Sequence, residues 1–298
     1  MSICYNKNKN RLFVLTKILK KLLTFAFCLS PFCIFDTKQN SFMKFIKLLI
    51  VISLFLIPLR NFSQTVSATF FNLPQQKVYL NAYTGLYMQV LDSVMMTQDK
   101  RVEFNTPIKK GMYQIETEYG STLDFLYDDS SVKFIVKDFY DLSSVEFINS
   151  QLNTDWYAYL IFKEKTLKSL DILKPILREY DKKSEFYLNA KNEYQLLQDR
   201  FISFTDSLML HDNYASNLIK VDRFTPLNLD DDFDKQRNKL VAVFFNDVDF
   251  NDTSLIPTNV LTTKVLDFLS IQQTPDKSRD EQIMSFILGI DNVLYRAS

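Results

Sequence analysis

The sequence is poor in the residues that most often carry chemistry. It has one histidine, His211, and three cysteines, Cys4, Cys28 and Cys33. All three cysteines lie upstream of a stretch with the features of a secretion signal. Cleavage there is expected to leave a chain without thiols, which excludes disulfides, thiolate nucleophiles and Cys/His zinc sites from the mature protein. The four glycines, Gly85, Gly111, Gly120 and Gly289, are scattered, which excludes a glycine-rich phosphate loop. No serine stands in a Gly-x-Ser-x-Gly elbow. Catalytic residues, a metal site and a cofactor are therefore not predicted.

The signal peptide is predicted over residues 43–64. Lys44 and Lys47 give a positive end, and the apolar run from Leu48 to Leu59 follows. That run is short of the roughly 20 residues a permanent membrane helix needs. Cleavage is expected near Ser63 or Gln64. Residues 1–42 read as an upstream extension, with a second apolar run from Leu12 to Phe35 broken by Lys17, Lys20 and Lys21. Phe27 and Phe32 precede Cys28 and Cys33, where lipid attachment requires a small residue, so a lipid anchor is not expected. The prediction is a protein of the periplasm or cell envelope, not lipidated, with no stable membrane span after signal cleavage.

The whole chain balances 35 basic against 35 acidic residues, but the first 64 hold 10 of the basic ones and a single acidic one. The remainder carries a net charge of about −9. Nucleic acid is excluded as a partner on that ground, because its phosphates need Lys and Arg. The remaining 234 residues suffice for one large or two small cores.

Residues 65–150 show short alternating runs with turn punctuation, predicting seven to nine antiparallel strands. Val66 to Phe71, Lys77 to Tyr83, Leu86 to Leu91, Met112 to Glu118 and Val132 to Lys137 are the clearest. Asp92-Ser93 marks a break, and Gly85, Gly111 and Gly120 fall in turns, where positive φ costs glycine least. Near Ser150 the period changes to 3.6. Trp156, Leu160, Leu167, Leu170, Leu173 and Leu177 mark one helix face, with Pro175 expected to bend or shorten its end. Phe186, Ala190, Tyr194, Leu197, Phe201, Phe204 and Leu208 mark a second, and the polar run 180–185 is the hinge between them. Helices near 232–245, 260–269 and 280–295 follow. The fold class is α+β: an N-terminal antiparallel β-sandwich domain at 65–150, then an all-helical domain at 151–298 with a long helical hairpin.

Asp230, Asp232 and Asp234 imitate half of a calcium loop, but Lys235 and Val241 occupy the positions for its glycine and bidentate glutamate. Capping of the following helix is the expected role. Asp247, Asp249 and Asn251 repeat the half-pattern and fail in the same way. His211 is expected at a helix C-terminus. Glu116 and Glu118 share a strand face and are expected to be solvated. Trp156, Tyr157 and Tyr159 are expected to cap the sheet–helix junction. Tyr79, Tyr83 and Tyr113 suit strands as core or cross-strand residues. They are also the candidate interaction surface, a stacking platform for a glycan or peptide.

The strand block with Asp92-Ser93 and Gly111-Met112-Tyr113, then Ser150-Gln-Leu-Asn153 opening a helical hairpin, forms a recognisable order. Phe244-Phe-Asn-Asp-Val-Asp-Phe250 and Leu255-Ile-Pro-Thr-Asn-Val-Leu261 complete it. This order resembles the N-terminal region of TlpA/ResA-like thioredoxin-family thiol–disulfide oxidoreductases of the Bacteroidetes-type cell envelope, over residues 65–297. In that family a thioredoxin domain with a Cys-x-x-Cys pair follows, and a histidine often precedes the Phe-Phe pair where this chain has Val243. No residue here matches the catalytic cysteines, so the resemblance implies compartment and architecture without the activity. The expected function is a non-catalytic envelope binding module. The alternatives are the substrate-recruiting part of a split or truncated thiol–disulfide system, partnered by a thioredoxin-domain protein, and a glycan- or peptide-binding protein.

Overall fold

Among the described residues eight strands come first: β1 (Val66–Phe70), β2 (Lys77–Thr84), β3 (Tyr87–Met95), β4 (Arg101–Phe104), β5 (Gly111–Thr117), β6 (Thr122–Tyr127), β7 (Val132–Val136) and β8 (Val145–Ile148). In the computed structural model, which describes residues 65–272 and 278–298, they form two four-stranded sheets. Their orders are β4-β1-β7-β8 and β3-β2-β5-β6. Alternation decides which side chains meet. Val66, Ala68 and Phe70 of β1 and Val132, Phe134 and Val136 of β7 are buried, while the residues between them are not. Phe125 of one sheet meets Phe134 of the other at 5.8 Å between ring centroids.

Two details depart from the expectation. β1 and β7 run parallel, from Val66↔Val132 to Phe70↔Val136, while every other pairing is antiparallel. A period of two is the same in either direction, so the alternation carries no sign of this; the intervening strands make the crossover a parallel pair requires. The break expected at Asp92-Ser93 is instead a β-bulge. Leu80 faces Asp92 while Asn81 faces Val90, so Leu91 is the extra residue and β3 continues through.

Gly85 opens the two-residue turn between β2 and β3 with φ at +60°, the first central position of a tight hairpin. Gly111 is not at positive φ. It begins β5, and a Cβ there would lie 3.0 Å from the Pro257 side chain, so it serves close approach. The backbone agrees: Met112 N–H donates to Pro257 O at 2.8 Å, and Gly85 N–H to Ile256 O at 3.2 Å.

Six α-helices follow among the described residues: α1 (Gln151–Glu179), α2 (Glu185–Met209), α3 (Tyr214–Asp222), α4 (Phe233–Val243), α5 (Val260–Gln272) and α6 (Arg279–Ala297). The hairpin of α1 and α2 starts at side-chain caps: the Ser150 hydroxyl accepts Asn153 N–H, and Ser184 accepts Tyr187 N–H. Pro175 does not end α1, which continues to Glu179. On α2 the buried face is Tyr187, Ala190, Tyr194, Gln198, Phe201, Thr205 and Leu208, so Phe186, Leu197 and Phe204 lie beside the buried line rather than on it. The line passes through two polar residues because both are satisfied. Gln198 accepts from Leu227 N–H at 2.7 Å and donates to Leu227 O at 3.0 Å, and Thr205 donates to Ile202 O at 3.0 Å.

One continuous core runs from the sheets into α1, α2, α3 and the start of α5, and the described residues from 65 onward belong to one compact unit. The boundary expected at residue 150 is thus a change of secondary structure inside that unit. Ring contacts carry the core into the helices, with Phe201 stacked on Phe224 at 4.0 Å and tilted against Tyr159 at 6.2 Å. A smaller cluster of Phe244, Phe245, Phe268 and Leu269 joins α4, α5 and α6. Among the described residues no helix is long and apolar enough to cross a membrane. The predicted extension (1–42) and signal peptide (43–64), with Cys4, Cys28 and Cys33, lie outside the described residues.

Candidate functional site

The two sheets have four edge strands, and three of them are closed or blunted. The β6 edge is covered by α1, where the Asn153 amide takes the place of a strand. Its Oδ1 accepts Leu126 N–H at 2.7 Å and its Nδ2 donates to Leu126 O at 2.8 Å. Strand β8 is only four residues long and exposes Glu146, which blunts its edge, and the same helix packs against its Phe147. Tyr157 meets Phe147 edge-on at 4.7 Å, and its hydroxyl donates to Asp124 O at 2.7 Å. Trp156 and Tyr159 turn instead into the helical core, 5.5 Å apart. Strand β4 is four residues long and exposes Arg101 and Glu103, the short charged edge that discourages pairing.

β3 is the longest strand and the fourth edge. Its second half is also blunted, by the bulge at Leu91 and by Asp92, whose carboxylate takes hydrogen bonds from the Thr106 hydroxyl and, at 2.7 Å, from Ser93 N–H. The first half is not. Tyr87 is 85 % exposed, Met88 49 % and Val90 58 %. Antiparallel alternation, counted from the hairpin pair Thr84↔Tyr87, turns the N–H and C=O of Met88 and Val90 away from β2. Neither has a backbone partner on that side among the described residues.

Beside this half-strand lies an open hollow of about 640 Å³, lined by Gly85, Leu86, Tyr87, Leu255, Ile256 and Leu261, among others. The Gly85–Ile256 hydrogen bond fixes its rim. The site therefore combines a short stretch of unpaired backbone with an apolar hollow at its start. That arrangement suits an extended peptide segment, because backbone bonds supply affinity and a side-chain pocket supplies selectivity.

Behind β3 the outer face of the sheet is held by a polar network. The Tyr83 hydroxyl donates to Asp124 Oδ1 at 3.0 Å, and Gln114 Nε2 lies 2.8 Å from the same oxygen and 2.9 Å from the Tyr83 oxygen. Burial raises the Asp124 pKa above the usual carboxylate value, opposed by the hydrogen bonds from Gln114 and Tyr83. Burial, with the neighbouring Asp124 charge, also pushes the Tyr83 hydroxyl well up. Tyr83 faces Met88 across the ladder, so this network steadies the strand beside the open edge.

Tyr79, Tyr83 and Tyr113 do not form one exposed platform. Tyr113 is in the core, its ring 5.8 Å from Phe125 and its hydroxyl donating to Lys109 O at 2.6 Å. Tyr83 is buried in the polar network. Tyr79 alone is half-buried, with the Lys77 ammonium 5.4 Å from its ring. The reason is topological: Tyr113 faces Ala82 on the inner side of the sheet, while Tyr79 and Tyr83 lie on the outer side. The open residues Leu86, Met88, Val90 and Ile256 were not singled out by sequence reasoning. The available signal was the run Leu86 to Leu91, apolar on both faces instead of alternating.

The other singled-out residues have structural partners. Asp232 caps α4 by accepting Lys235 N–H at 2.8 Å, while Asp231, 9 % exposed, pairs with Lys235 and Lys239 at 2.5 and 2.6 Å. Asp247 takes Arg223, and Asp249 accepts Asn251 N–H. Glu116 accepts from Asn81 Nδ2 at 2.8 Å. His211 is at the end of α2, but its main partner is Asp155 of α1, with Nδ1 2.8 Å from Oδ2. Gln151 and Asn213 also donate to Asp155, so the buried carboxylate ties the start of α1 to the end of α2. Comparisons with protein-family models, with curated proteins and with solved structures find no match.

Proposed function

We propose that this chain is a non-catalytic interaction module of the cell envelope. It holds a partner envelope protein by strand addition along the Tyr87–Val90 half of β3. The observation that carries this reading is the contrast between the four sheet edges: three are covered or blunted, and one half-strand is exposed, apolar and open along its outer side. A protein without a partner here gains from blunting this edge as well, since exposed apolar edges promote aggregation. The signal-like segment at 43–64 supports export, and the resemblance to the N-terminal region of thiol–disulfide oxidoreductases points to a thioredoxin-domain protein as the partner.

The test is a photo-crosslinking residue placed at Tyr87 of the full chain in living cells, with the same residue at Glu103 of β4 as comparison. A discrete adduct of one envelope protein from position 87, and none from 103, is the expected result. No adduct from 87, or the same adducts from both positions, contradicts the reading.

A further inference from the structure

A second site lies among the helices, away from the β3 edge and independent of it. α1, α2, α4 and α5 and the segment 222–227 line a half-open cavity of about 450 Å³. Its apolar wall includes Leu167, Leu170, Leu240, Phe244 and Ile271. A cavity of this size suits a small organic ligand, for which about 300–1,000 Å³ is usual.

The charged groups around it are unequally satisfied. Lys163 pairs with Asp222 at 2.6 Å, and the Tyr159 hydroxyl donates to the same carboxylate oxygen at 2.8 Å. Arg223 is engaged by Asp206 at 2.8 Å and Asp247 at 3.1 Å. Lys174 pairs with Asp171 at 2.7 Å. Lys264 differs. It is 7 % exposed, its Nζ donates to Arg223 O at 3.0 Å, and the ammonium lies 4.5 Å from the centroid of the Phe244 ring. No carboxylate oxygen among the described residues lies within 4.0 Å of it.

An ammonium has three donors, and this one uses a single neutral acceptor. Removing a cation from water without an anion beside it is costly, and the aromatic face offsets only part of that cost. The cavity is therefore built around a positive charge that no carboxylate among the described residues pairs with directly, Asp222, Asp247 and Asp267 acting on it only from beyond 4.0 Å. The flanking carboxylates limit what can enter. Asp222 and, one turn along α5 from Lys264, Asp267 both line the space and repel a second negative charge.

We infer that this cavity binds a small monocarboxylate with an apolar body, its carboxylate paired with Lys264 and its body against Leu167, Leu170, Leu240 and Phe244. A phosphate or dicarboxylate is disfavoured by Asp222 and Asp267. A neutral molecule of the same shape leaves the ammonium unpaired.

Calorimetric titration of the full chain with octanoate, octanamide and octylamine tests this. Octanoate is expected to bind saturably at one site, with octanamide and octylamine at least about tenfold weaker. Lys264→Met is expected to weaken octanoate by about ten- to a hundredfold, the range for a lost charge-assisted hydrogen bond, and to leave octanamide unchanged. Asp267→Asn is expected to tighten octanoate. If Lys264→Met does not fold, the resonance of carbon-13 dimethylated Lys264 in the otherwise native chain gives the same answer: it must move with octanoate and not with octanamide. Absence of octanoate binding overturns the proposal. So does equal binding of octanoate and octanamide, or undiminished octanoate binding by Lys264→Met.

Discussion

Asn153 pairs with the backbone of Leu126 as a neighbouring strand would, accepting its N–H at 2.7 Å and donating to its C=O at 2.8 Å. Both residues are fully buried. This side-chain amide thus satisfies both outward backbone groups of one β6 residue from the first turn of α1, and Tyr157 of the same helix takes the Asp124 carbonyl. Gln198 treats Leu227 in the same manner, holding the segment that follows α3.

Replacing Asn153 tests the pairing. Asn153→Leu orphans both backbone groups of Leu126, at about 1–3 kcal/mol each. Asn153→Asp keeps the acceptor but sets a carboxylate oxygen against the Leu126 carbonyl, and is expected to destabilise as well. Urea midpoints of the two variants against the parent chain measure this. A midpoint unchanged in both counts against the role given to Asn153.

Proline at β3 separates backbone pairing outward from pairing inward. The Met88 N–H points away from β2, so Met88→Pro is expected to abolish the crosslinked adduct while changing stability little. Gln89 faces Ala82 within the ladder. Gln89→Pro is expected to cost about 1–3 kcal/mol through the lost ladder bond and its orphaned carbonyl. Thermal melts and adduct yield together check both halves; an adduct retained by Met88→Pro removes strand addition as the docking mode.

The Asp124 carboxyl sets a pH dependence. Its folded pKa is raised above the ordinary 3.8, chiefly by burial. The native state therefore holds the proton more firmly than the unfolded chain does. The stability this contributes is full below pH 3.8 and is lost as pH rises through the folded value. Asp124→Asn is expected to flatten the melting-temperature profile above pH 3.8. A profile parallel to the parent contradicts this.

Lys264 contributes at the alkaline end. Burial lowers its pKa from the ordinary 10.5, so the unfolded chain binds that proton more firmly than the native one. Its contribution is fully present above pH 10.5 and is lost as pH falls through the folded value. The stability of the parent relative to Lys264→Met is thus expected to rise as pH approaches 10.5, and saturating octanoate is expected to reduce that slope. Denaturant titrations of both proteins across the alkaline range supply the comparison.

The strands and helices were legible because each follows one dominant period. Val66 to Phe70 and Val132 to Val136 alternate cleanly, and α4, α5 and α6 fall close to their expected spans. What escaped has physical causes. Strand direction leaves no trace in a period of two, so the parallel β1–β7 pair was hidden. The nine-residue α3 is too short for a clear 3.6 period, and its one local signal is the capping box of Asn213 and Ser216. The buried face of α2 was misread at Gln198 and Thr205, because a polar residue with a fixed partner can occupy the core. The aromatic platform failed because Tyr113 and Tyr83 lie on opposite sides of one sheet, which depends on a register no local run specifies. Lys264 carries no local signal, since an isolated lysine in a helix reads as solvated.

The most direct test of the open edge is residue-resolved amide hydrogen exchange on the full chain without a partner. The Met88 and Val90 amides are expected to exchange fast, while Leu126, held by Asn153, is expected to exchange only through opening of the core. Protection of Met88 and Val90 at the level of Leu126, or Leu126 exchanging as fast as they do, would contradict the claim that β3 is where this protein meets its partner.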